Sequence, residues 1–216
     1  MAQESPSART GDGALSRDRA FNPQHTALLV VDVQNATFNN EQSALRPEFF
    51  AAARDIVIPN LAKLVAACRR SGVEVIYTVI ENLTHDGRDR SLDYKLSGFF
   101  IAKGSDEARV LAAVAPANDE IVIPKTSSSV FNSTNIDYLL RNIGIEDLIV
   151  TGFLTDQCID HTVKDAADRG YYVTCIGDAC MADTHARHAA ALAMFAGYCR
   201  TMTTAEWLRA MDEKRA

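Results

Sequence analysis

Apolar runs of strand length alternate with longer stretches of helical period along most of the chain. "TALLVVDV" (26–33) is continuous and β-branched, which predicts a strand buried on both faces. "FFAAARDIVIPNLAKLVAACRRSG" (49–72) has helical spacing, with Gly72 as its stop. "VEVIYTVI", "DEIVIPK", "EDLIVTGF" and "YYVTCIGDAC" read as four further strands. Between and after them, "DEARVLAAVAP", "NSTNIDYLLRNIG", "QCIDHTVKDAADRG" and "THARHAAALAMFAGYC" read as helices, and "TMTTAEWLRAM" adds a last element. Strand–helix alternation implies right-handed βαβ crossovers. The predicted fold is therefore α/β: three α-β-α layers around a mainly parallel, doubly wound sheet. The longest irregular stretch, 81–105, is too long for a plain connection and predicts a functional or oligomer-facing loop.

Composition narrows this picture. The 216 residues suit one domain, read here as 23–216, after a flexible tail over 1–22 that is rich in Ser, Gly, Arg and Asp. A net charge of -6 argues against nucleic acid or anionic membrane as partners. No apolar run is long enough to span a bilayer, and the N-terminus lacks a secretory h-region. The five cysteines, Cys68, Cys158, Cys175, Cys180 and Cys199, are odd in number and form no C-x-x-C pair. Free thiols in a cytoplasmic, reducing setting are expected.

Ligands of open parallel sheets bind at the carboxyl ends of the strands. Three polar residues fall there: Asp32 near the end of the first strand, Lys125 ending the third, and Cys158 opening the helix after the fourth. Singly, each has an ordinary explanation: a loop-anchoring carboxylate, a solvated lysine, a small buried thiol. Together they form a possible proton-transfer site, in which helix N-terminal amides and the lysine would favour thiolate and the aspartate would act as base and then acid. His161 competes as base. It lies about 300° round the helix from Cys158 at ~100° per residue, one turn deeper, away from the mouth where a substrate arrives. Cys180, expected just after the fifth strand, has no assigned role. His185 and His188 share a helix without a third ligand at metal spacing, so no metal is expected.

The segments "ALLVVDVQNATF", "IVIPKTSSSVFNSTNIDYLLRNIGI" and "LIVTGFLTDQCIDHTVKDAADRGYYVTCIGDAC", in that order, resemble the isochorismatase-like cysteine hydrolases from about Thr26 to Cys199. The resemblance implies a triad of Asp32, Lys125 and Cys158 with Cys158 as nucleophile. It also implies a non-proline cis peptide at Phe153–Leu154 and an oxyanion site made by the amides of Leu154 and Cys158. The segment "TVIENLTHDGRDRS" has one histidine, His85, where nicotinamidase-like members carry a metal cluster. Isochorismatases proper cleave a vinyl ether and lack the cysteine. The wording is most similar to members acting on ureides and carbamoyl compounds such as biuret, triuret, ureidoacrylate or N-carbamoyl amino acids. Implied are a small-molecule amide or ureide substrate, no cofactor and a homo-oligomer, dimer or tetramer. Expected substrate-binding residues are Gln34, Phe38, Glu81, Asn82, Phe131, Asn132 and Thr155. A vinyl-ether hydrolase, a nicotinamidase-like amidase and a non-catalytic interaction protein on the same scaffold are the alternatives.

Overall fold

The computed structural model describes residues 15–117 and 119–213. Six strands form one sheet: β1 (Thr26–Val31), β2 (Glu74–Ile80), β3 (Ile121–Lys125), β4 (Asp147–Phe153), β5 (Tyr172–Met181) and β6 (Arg200–Met202). Their order is β3-β2-β1-β4-β5-β6, and every pairing is parallel. The chain builds outward from β1 through β2 and β3, then returns to β1's other side to lay down β4. Between β1 and β4 lies the switch point, where such sheets open a crevice.

Both faces are covered. Helices α1 (Asn40–Leu45), α2 (Pro47–Ala52) and α3 (Ile58–Ser71) precede β2, and a π turn (Ala53–Val57) joins the last two. Next come α4 (Leu92–Leu96) and α5 (Ile136–Asn142), then α6 (Asp160–Asp168), α7 (His185–Phe195) and α8 (Thr204–Glu213). Leu28 and Val30 face a core with Leu61 and Leu64 of α3 and Trp207 of α8. The alternate residues Ala27, Leu29 and Val31 face Ile136 of α5, Val163 of α6 and Phe195 of α7. This double burial is what makes β1 a continuous apolar run. Gly72, in the left-handed region at φ 71°, ends α3 as expected.

Several elements differ from expectation. The stretch 106–116 is two 3-10 turns, Asp106–Ala108 and Ala112–Val114, not a helix. Its backbone is drawn onto the chain after β1 instead: Val110 bridges Gln34, and the Leu111 amide donates to Val33 O. Helix α5 starts at Ile136, because Asn132–Thr134 forms a side-chain-stitched turn in which Ser133 Oγ accepts from the Thr126 amide at 3.0 Å. "TMTTAEWLRAM" divides into β6 and α8. Strand β5 runs to Met181, so Cys180 lies within it. Of the stretch read as a tail, residues 1–14 lie outside the described residues. Arg19 pairs with Asp147 at 2.7 Å, and Phe21 is buried against Trp207, so packed structure begins before residue 23.

Candidate active site

Asp32 follows β1 directly and sits at φ 57°, the only described residue other than glycine with positive φ. Such a backbone costs roughly 1–3 kcal/mol and persists where surrounding contacts enforce it. Here the Asp32 amide donates to Thr78 O at 2.9 Å, and Thr37 Oγ1 donates to Asp32 O at 2.9 Å. Thr78 Oγ1 also donates to the carboxylate, at 3.2 Å. Lys125 ends β3, two strand spacings (roughly 10 Å) from β1. Its side chain crosses the width of β2, so that Nζ lies 2.8 Å from Asp32 Oδ2 with both residues buried. The ammonium is also 2.8 Å from Ser127 O, 3.2 Å from Tyr94 Oη and 3.3 Å from Cys158 Sγ. Tyr94 Oη is 3.9 Å from the sulfur.

Cys158 lies in a π turn, Thr155–Ile159, that runs into α6. It is the fourth residue of the helical segment, not its first. The Phe153–Leu154 peptide is cis, and Leu154 O accepts from the amides of Gln157 and Ile159. Close contact of β1 with β4 sets this turn's position. Gly152, at φ 116°, has no space for a side chain, since a Cβ there would overlap the Val31 carbonyl. His161 instead bonds Gln157 O through Nδ1, at 2.9 Å, and is exposed.

The electrostatics follow from burial. Desolvation pushes the Cys158 thiol up to about 12, with Lys125 pulling the other way. Burial thus favours the protonated thiol, against the thiolate expected from the helix N-terminus. Desolvation also raises Asp32, opposed by the Lys125 charge and by hydrogen bonds from Lys125, Cys158 and Thr78. For Lys125, burial alone would lower the value, but Asp32, Cys158 and Tyr94 outweigh it and hold the ammonium above its ordinary range. A buried carboxylate, an ammonium and a protonated thiol in contact can pass one proton from sulfur to oxygen with little change in net charge.

Asp32 and Cys158 open onto a cavity of about 690 Å³ at the carboxyl end of the sheet. Of the expected substrate-binding residues, the structure brings only Asn132 to its wall. Gln34 is a buried peg, donating to Ile80 O at 2.9 Å and accepting from the Ile80 amide at 2.6 Å. Phe38 stacks on Phe50 and Phe131 on Tyr171. Glu81 accepts from the Gly104 amide at 2.6 Å, and the Asn82 amide donates to Ile101 O. Thr155 Oγ1 meets His188 Nδ1 at 2.8 Å. None of these six lines the cavity; sequence position put them near the site but could not give their direction. Missed were Tyr94, Arg46, Gln157 and the serines 127–129, all at the wall. The repeated serines after Lys125 were a visible signal. Tyr94 had none, since it comes from α4 inside the long loop. His161 does reach the rim. Among the described residues no group of three or more His, Cys, Asp or Glu could hold a metal ion.

Comparison with known proteins agrees with this fold. The isochorismatase domain family matches residues 26–206. The chain is 32% identical over 178 residues to the ureidoacrylate amidohydrolase RutB of Enterobacter sp. (strain 638), covering 74% of this chain and 76% of that protein. A cysteine hydrolase from Pseudomonas syringae pv. phaseolicola 1448A superposes with a TM-score of 0.80 at 28% identity, over 90% of this chain and 96% of that one. The N-carbamoylsarcosine amidase of Thermoplasma acidophilum gives 0.69 at 26% identity, over 83% and 96%.

Proposed function

Because the chain belongs to the isochorismatase family of hydrolases, we propose that it is a cysteine-dependent amidohydrolase cleaving the C–N bond of a small ureide or carbamoyl compound. The observation that carries this reading is the contact chain Cys158–Lys125–Asp32 at the floor of an open cavity. Asp32 takes the thiol proton as sulfur attacks the carbonyl carbon, and the Leu154 and Cys158 amides hold the oxyanion. The C–N bond then breaks, and Asp32 returns the proton to the departing ammonia or amine. Water adds to the thioester or thiocarbamate, giving its proton through Asp32, and the C–S bond breaks to restore the thiol. Nothing in these steps calls for a cofactor. Five free, buried thiols support a reducing, cytoplasmic setting. Exposed Leu92 and Leu96 on α4 and exposed Phe100 in the loop that follows support assembly into a homo-oligomer.

The test is ammonia release from a panel of biuret, triuret, ureidoacrylate, N-carbamoyl amino acids and nicotinamide, with Asp32→Asn and His161→Ala compared on whatever is cleaved. Turnover is expected on a ureide, lost in Asp32→Asn and retained in His161→Ala. The reverse pattern would transfer the base to His161. Cleavage of a vinyl ether without ammonia release from any member would place the chain with isochorismatases proper.

A further inference from the structure

Resting on the amidohydrolase reading, the charges around the cavity bear on which ureides it accepts. Arg46 is the one lysine or arginine among the described residues lining the wall. A carboxylate-bearing substrate would look for that guanidinium, and three of its five N–H donors, one on each nitrogen, are already engaged. Nε donates to Gln42 Oε1 at 2.7 Å, one terminal nitrogen to Asp183 Oδ1 at 3.2 Å, and the other to Thr37 O at 3.0 Å. Its face lies 4.3 Å over the Phe49 ring. Asp183 is in turn shared with Arg187, whose second partner is Asp156. These two arginines and two aspartates cancel. Lys125 and Asp32 cancel likewise. What remains is Asp93, an exposed carboxylate on the wall. The neutral groups there, Asn132, Gln157 and the hydroxyls of 127–129, suit a urea's carbonyl and N–H atoms.

We infer that this cavity selects uncharged amides and ureides over their carboxylate-bearing analogues, with the Arg46–Asp183 pair as the element that withholds a cation from the substrate. The compounds in the relatives' names, ureidoacrylate and N-carbamoylsarcosine, both carry a carboxylate, so the inference separates this chain from those relatives.

Iodoacetamide and iodoacetate probe it without knowledge of the substrate. They have the same shape, and with each the sulfur bonds to the CH2 carbon as iodide leaves to solvent and the thiol proton passes to Asp32, but only iodoacetate is an anion. Alkylation of Cys158 would be followed by peptide mass at about pH 8, where ordinary imidazoles are neutral. Each rate is divided by that of the same reagent with N-acetylcysteine. The expected normalised preference for iodoacetamide is about tenfold or more, since an unpaired anion meets no free cation. Asp183→Asn removes the charge that pairs with Arg46 and should raise the iodoacetate rate, moving the ratio toward one. A wild-type ratio at or below one overturns the inference while leaving the nucleophile in place. An unchanged ratio in a folded Asp183→Asn variant removes the Arg46–Asp183 pair as its cause. Alkylation by neither reagent refutes the nucleophile itself, and with it the reading beneath.

Discussion

At the end of β3, Lys125 loses contact with water and gains Asp32, Tyr94, Ser127 O and Cys158 as neighbours. Removing one partner of a buried ion pair costs roughly 3–5 kcal/mol, because the other charge is stranded. Lys125→Met should therefore lower unfolding stability in urea by that amount and abolish turnover. A stable, active variant would mean that the pair matters to neither. In the proposed mechanism Asp32 is the base and sets the acid side of the pH profile. Burial raises its value, so the base is protonated and inactive over a wider acidic range than an ordinary aspartate would be. kcat/KM should fall as pH drops through a midpoint above the usual carboxylate range, and a midpoint within that range would contradict the burial argument. The meeting of Asp32, Lys125 and Cys158 was legible because chemistry-bearing side chains stood at the ends of apolar runs. Their partner Tyr94 was not, since no periodicity marks the loop that delivers it.

For whole elements, the strands were the most legible part: a run buried on both faces has one reading. Amphipathic or mixed stretches were less so. The segment 106–116 has helix-forming residues, yet its backbone groups find partners after β1, and tertiary pairing overrode propensity. The helix after β4 begins two residues earlier than the pattern indicated, through a π turn that no periodicity of 3.6 reveals. That turn is held in place by the approach of β4 to β1 at Gly152. Gly152→Ala forces a side chain into the Val31 carbonyl at a φ that side chains rarely adopt. It should destabilise by about 2 kcal/mol or more, read as a lowered thermal midpoint. A midpoint equal to wild type would show that the two strands can separate without cost.

For the molecule as a whole, the order β3-β2-β1-β4-β5-β6 explains why residues from three distant segments meet. β1 and β4 flank the switch point, and Lys125 reaches in from the third strand on one side. The alternation of strands and helices was enough to foresee this architecture, but not the cavity wall, which depends on side-chain direction. Exposed Leu92 and Leu96 predict a mass of two or more chains by light scattering, falling in Leu92→Asp/Leu96→Asp. A wild-type monomer would refute that assembly. The central claim is that the carbonyl carbon passes through a bond to Cys158. It is tested most directly by ammonia release from the best panel substrate by Cys158→Ser. The account predicts a loss of at least about a thousandfold with the fold intact, in keeping with removal of an activated nucleophile. Turnover near the wild-type rate in that variant would contradict it.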